Sequence, residues 1–124
     1  MKILMLSWEY PPRIVGGISR VVHDLSHRLI KDGHEVTVVT YKDGDVPYYE
    51  NDNGVQVYRV DNYIISPNNF IDWIMQLNFN LIAKATELIA KGEKFDVIHA
   101  HDWLVAYAAK SLKNSYDLPI VATI

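Results

Sequence analysis

Short, uninterrupted apolar runs, each separated from the next by a helical pattern, constrain this chain more than any other feature of its sequence. Ile3-Leu4-Met5-Leu6, Val36-Thr37-Val38-Val39-Thr40, Phe95 to His99 and Ile120 to Ile124 lack the alternation of a half-solvated strand. Runs of this kind belong to strands covered on both faces, as in a parallel sheet. Between the first two, Ile18, Val21, Val22, Leu25, Leu29 and Ile30 recur at helical spacing, with polar His23, Asp24, Ser26 and Arg28 among them. Gly33 is placed to close that helix in the left-handed conformation. A long helix is predicted from Phe70 to about Lys91, with Phe70, Ile74, Leu77, Leu81, Ala85, Leu88 and Ile89 on or near one face and Gly92 ending it. A third runs from Trp103 to about Leu112. Strand–helix–strand units joined by right-handed crossovers predict an α/β fold, a Rossmann-like parallel sheet with helices on both faces.

The remaining segments are less regular. Asp43-Gly44-Asp45-Val46-Pro47 and Asn51-Asp52-Asn53-Gly54 read as turns. Val55 to Val60 alternates like an exposed or edge strand, and residues 61–69 read as a polar, Pro-containing loop. No internal repeat or low-complexity segment is present.

Composition narrows the function classes. The 124 residues are 49% hydrophobic and 22% charged, which suits one globular domain or part of one. A formal charge of −3 with scattered Lys and Arg gives no electrostatic footprint for nucleic acid. The chain has no Cys, which rules out a disulfide framework, a thiolate nucleophile and a zinc–thiolate site within it. Met1-Lys2 is followed by only four strongly apolar residues, too few for a signal peptide. No stretch approaches the roughly 20 apolar residues of a membrane span. The expectation is a soluble, cytoplasmic protein. The last strand runs out without the loop that normally follows it, so the chain reads as the amino-terminal part of something longer.

Ligands of open α/β sheets bind outside the carboxyl ends of the strands. Two loops of this chain lead away from such ends. The first carries Ser7-Trp8-Glu9-Tyr10-Pro11-Pro12 and reaches Gly16-Gly17 just before a helix. The second is the sequence Val97-Ile98-His99-Ala100-His101-Asp102-Trp103, where an apolar strand delivers ionisable and aromatic groups and then turns helical. Gly16 and Gly17 let backbone N–H groups approach an anion at a helix start; they also suit a tight turn. His99 and His101 lie two apart and leave a strand on one side. As metal ligands they lack a third partner, and no metal is expected. His99 reads as the deeper, core residue and His101 as the one at the strand's end. Asp102 suits a helix N-cap, and Trp103 suits packing beneath a cleft or stacking on a sugar. Glu9 is a loop carboxylate. A nicotinamide-binding loop would place G-x-G-x-x-G directly after the first strand and an acid at the end of the second. Here about ten residues intervene before Gly16 and the second strand ends in Thr40-Tyr41, so that reading fails.

Taken together, Trp8-Glu9-Tyr10-Pro11-Pro12, Gly16-Gly17, Asp32-Gly33-His34-Glu35-Val36 and Asp96 to Trp103 resemble the amino-terminal domain of GT-B glycosyltransferases. The closest likeness is to glycogen and starch synthases and their relatives in glycosyltransferase families 4 and 5. The resemblance covers essentially the whole chain. It implies that residues 1–124 are the acceptor-side half of a retaining transferase, whose carboxyl-terminal half, absent here, binds the nucleotide sugar. It further implies Gly16 and Gly17 near the donor phosphates, His101 at the transferring sugar, and Glu9, Asp102 and Trp103 on the acceptor and sugar side. No cofactor is implied beyond the substrate itself, ADP- or UDP-glucose, with a glycan as acceptor. The loop departs from bacterial ADP-glucose-using synthases: Ile14-Val15 stands where those carry Lys-Thr, with Arg13 one residue earlier. A non-catalytic α/β binding module and a GT-B nucleotide-sugar epimerase are the alternatives.

Overall fold

The computed structural model describes residues 1–64 and 67–123. Six strands form one sheet: β1 (Lys2–Leu6), β2 (Glu35–Tyr41), β3 (Tyr49–Asp52), β4 (Val55–Val60), β5 (Val97–His101) and β6 (Ile120–Thr123). Their spatial order is β3-β4-β2-β1-β5-β6, and every pair is parallel except the β3–β4 hairpin. The helices are α1 (Ile18–Lys31), α2 (Phe70–Ala90) and α3 (Ala106–Tyr116). The α/β, largely parallel architecture expected from the apolar runs is the one observed.

β1 explains why both faces are covered. Its odd residues Ile3 and Met5 face a core built with Val22 of α1, Val36, Val38, Val55 and Val57. Its even residues Leu4 and Leu6 face the opposite core, with Trp73, Leu77 and Leu81 of α2 and Ala108 and Leu112 of α3. A strand with no polar face has no alternative to a helix on each side. α1 ends as predicted: Gly33 has φ +94°, and the N–H of His34 reaches back to the Leu29 carbonyl at 3.0 Å. Buried Asn78 joins α2 to α3. Its amide donates to the Ile74 and Leu104 carbonyls at 2.8 and 2.7 Å, and its oxygen accepts from the Ala108 N–H at 2.9 Å.

Several expectations need correction. β5 begins at Val97 rather than Phe95 and continues to His101. Phe95 is a core residue, but the Asp96 N–H already closes onto the Lys2 carbonyl before the ladder with β1 starts at Val97. The segment 49–52, read partly as turn, is strand β3, and only Asn53-Gly54 turns. β4 is therefore not an edge: β3 pairs along its outer side. Trp103 to Val105 is a 3₁₀ turn, and α3 starts after it and reaches Tyr116. Ile124, expected to end the last strand, and residues 65–66 of the predicted loop lie outside the described residues.

Candidate functional site

The start of α1, the end of β5 and the end of β6 enclose a cavity of about 220 Å³ at the carboxyl edge, lined by Gly17, Ile18, Val21, His101, Asp102 and Thr123. Three of the predicted site residues, Gly17, His101 and Asp102, thus come together. Trp103 does not join them. It is 58% exposed, neither packed beneath the cleft nor part of this lining.

His101 is 2% exposed, and its Nε2 is buried with no hydrogen-bond partner among the described residues. Its ring stacks on His99 with centroids 4.1 Å apart. Burial, and secondarily the charge His99 would carry, push its pKa down from 6.5 to about 4. The ring is therefore neutral near pH 7, able to give or take one hydrogen bond rather than to act as a fixed cation. The expected order of depth is reversed: His99 is only half-buried, with Nε2 2.7 Å from Thr123 Oγ1. Burial also lowers the His99 pKa.

Asp102 occupies φ +74°, ψ +163°, a region that is nearly glycine's alone and costs another residue about 1–3 kcal/mol. Its carboxylate accepts from the Trp103 N–H at 2.6 Å, and its own N–H donates to the Thr123 carbonyl at 2.7 Å. It does cap the following turn, in a strained backbone that turns the chain sharply beneath the cavity.

Glu9 is fully buried, not a solvated loop residue. Its carboxylate accepts from the N–H groups of Val15, Gly16 and Ser19 at 3.0, 3.3 and 2.8 Å. The N-cap residue of α1, Gly17, has no side chain, so Glu9 reaches across the loop to do what a capping Ser or Asp does elsewhere. The hint in the sequence is a helix start lacking its own cap, with a carboxylate a few residues upstream. Gly16 therefore donates its N–H internally, while the Gly17 N–H has no protein acceptor among the described residues.

Neither glycine is needed by the backbone. Gly17 sits at φ −80°, and a Cβ at either position meets nothing within 4 Å. The reading that a tight turn requires Gly16-Gly17 does not hold. Arg13 cannot stand in for the missing lysine. Its guanidinium is held to Asp43 at 2.6 Å and lies 5.0 and 4.9 Å from the Trp8 and Tyr41 rings. Thr123 is a site residue the sequence reading missed; it is the polar end of an apolar run at the same sheet edge as His101. A larger hollow, about 510 Å³, lies between β4 and α2. Its polar groups are already committed: Arg59 to Glu50, Asn62 to the Trp73 carbonyl, Asn80 to the Asp61 carbonyl. The smaller cavity, lined by a buried histidine whose Nε2 has no partner among the described residues, is the better site.

The doubly wound sheet has the fold of solved GT-B glycosyltransferases. The solved sucrose-phosphate synthase of Thermosynechococcus elongatus superimposes with a TM-score of 0.75 at 18% identity, over 98% of this chain and 32% of that one. The catalytic domain of starch synthase IV from Arabidopsis thaliana, bound to ADP and acarbose, gives 0.73 at 20% identity, over 98% and 33%. The chain belongs to glycosyltransferase family 4, whose sequence model matches residues 15–124. It is 44% identical to an uncharacterised glycosyltransferase of Methanocaldococcus jannaschii, over 100% of this chain and 30% of that protein. It is 37% identical to a glycogen synthase of Mycobacterium tuberculosis, over 100% of this chain and 33% of that enzyme. The chain thus spans about a third of the length of these relatives.

Proposed function

We propose that this chain is the acceptor-side half of a retaining glycosyltransferase that moves a hexosyl group, glucose by its likeness to the glycogen synthase, from a nucleotide diphosphate sugar to a glycan in the cytoplasm. Among the described residues no helix is long and apolar enough to cross a membrane. The observation that carries the reading is His101: a neutral, buried ring that lines a cavity with Gly17 and whose Nε2 has no hydrogen-bond partner among the described residues. A buried polar atom without a partner calls for one, and a sugar hydroxyl supplies it. Gly17, glycine without a backbone reason to be, leaves room for a diphosphate against its free N–H and the positive end of α1. Glu9 holds that loop in place, so its role here is to position Gly16 and Gly17 rather than to touch sugar. Asp102 aims the β5 end, and exposed Trp103 offers an indole face to an acceptor. The donor half would come from the rest of the protein.

In the full-length protein, His101→Ala should lower kcat/KM per folded molecule by about 10²–10⁴, as for other losses of a positioned polar group, and should also lower Tm because it empties a buried site. His99→Ala should retain far more activity. Wild-type activity in His101→Ala removes this histidine from the reaction. The epimerase alternative is tested in the same assay by following nucleotide-sugar conversion without acceptor.

A further inference from the structure

We propose that His23, His27 and Asp52 bind one divalent transition-metal ion of the zinc class, which ties α1 to the β3–β4 hairpin. His23 and His27 are one turn apart on α1, so their rings leave the same face, and the ring centroids are 4.1 Å apart. Asp52, the last residue of β3, brings its Oδ2 to 3.5 Å from His27 Nε2 and 3.8 Å from His23 Nε2. The donor atoms of all three lie within 4.8 Å of one another, a convergence that no other trio of His, Asp or Glu reaches among the described residues. His99 and His101, the pair considered from sequence, gain no such third ligand.

The groups behind these side chains decide the chemistry. His27 Nδ1 is 2.7 Å from the His23 carbonyl, and His23 Nδ1 is 3.1 Å from the Asp24 carboxylate. Assigned from those acceptors, both rings carry their proton on Nδ1 and turn the Nε2 lone pair toward Asp52. His27 Nε2 also lies 3.0 Å from the Asp52 carbonyl oxygen. A neutral imidazole has one N–H, so two acceptors face each other there with no proton between them. A cation at the centre resolves the conflict. Tyr10 donates its hydroxyl to Asp52 Oδ2 at 2.6 Å. A carbonyl, a carboxylate and a hydroxyl thus stand behind the three ligands, the outer-shell pattern that fixes ligand orientation around a metal. Two imidazoles and one carboxylate suit zinc with a water completing the set, whereas calcium and magnesium favour all-oxygen sites. The side chains are 38%, 22% and 25% exposed, so an ion reaches them from solvent.

β3 stands four places across the sheet from β5, roughly 19 Å at ordinary strand spacing. The ion therefore acts on structure and not on the transferring sugar, and the inference is independent of the proposed reaction. Full-length protein stripped by a chelator and titrated with Zn²⁺ or Co²⁺ alone should bind one equivalent, with a rise in Tm and a visible Co²⁺ absorption band. His27→Gln and Asp52→Asn should weaken binding about 100-fold and Tyr10→Phe about 10-fold. The His99→Gln/His101→Gln double variant should leave it unchanged. A Co²⁺ spectrum indifferent to His27→Gln overturns the assignment. So does a wild type that takes up no zinc while nuclear magnetic resonance finds His27 doubly protonated at neutral pH, because a proton then fills the gap. If the variants fail to fold, paramagnetic shifts at His23 and His27 in Co²⁺-loaded wild type decide the matter, and their absence is equally fatal.

Discussion

His101 and Gly17 are the residues on which this site turns, and each has a separate consequence. Because burial depresses the His101 pKa to about 4, the folded state resists a proton that the unfolded chain accepts near 6.5. The resulting stability is fully present above about pH 6.5. It drains away as pH falls toward about 4, reaching a loss of about 3 kcal/mol at most. Tm followed from pH 7 to pH 4 should therefore drop less steeply in His101→Gln than in wild type, and equal slopes would place the acid sensitivity elsewhere. Gly17 makes the opposite kind of prediction. With φ −80° and open space around a Cβ, Gly17→Ala should cost less than about 1 kcal/mol, the usual N-cap difference. If the diphosphate lies against this N–H, the same variant in the full-length enzyme should raise the donor KM several-fold. An unchanged KM would clear Gly17 of any donor contact.

Elements differed in how openly their sequences declared them. β1, β2 and α1 were legible because burial on both faces, or on one stripe, leaves a periodic trace: Ile3 to Leu6, Val36 to Thr40, and the Val22–Leu25–Leu29 spacing. β3 was not. Tyr49-Glu50-Asn51-Asp52 is half exposed, and its strand character comes from the β4 backbone beside it rather than from its own side chains. The end of β5 was blurred for a related reason, since polar His99 and His101 continue a ladder that apolar residues began. At the site, the carboxyl-edge loops could be placed from sequence, and His101 singled out by resemblance. The capping role of Glu9 depends on a loop closing over ten residues, and Asp52 meets His23 and His27 only through the fold. Asn78, a polar residue on an otherwise apolar helix face, satisfies one backbone group within α2 and two in the segment that leads into and begins α3, partners that only the fold reveals. Asn78→Ala should leave the Ala108 N–H and Leu104 carbonyl without their side-chain partner and destabilise the protein by about 2–4 kcal/mol. Urea denaturation checks this; a loss under about 0.5 kcal/mol would mean that the α2–α3 contact is held by Leu77 and Leu112 alone.

For the whole molecule, the proposed function makes the cavity at the carboxyl edge one wall of a cleft. The chain spans about a third of its relatives' length, and a nucleotide sugar needs surfaces on both sides to be oriented for transfer. The 124-residue polypeptide by itself should transfer no sugar from ADP- or UDP-glucose above a blank; measurable turnover would contradict a two-sided site. The topology has another consequence, felt while the protein is being made. β1 sits between β2 and β5 but is synthesised well before β5, which begins only at Val97. At the usual pace of synthesis, roughly 5–20 residues per second, one rim of the nascent strand waits about 5–20 s for its neighbour. During that interval Leu4 and Leu6 have only part of their final shelter, so the half-made chain is where chaperone engagement would be concentrated.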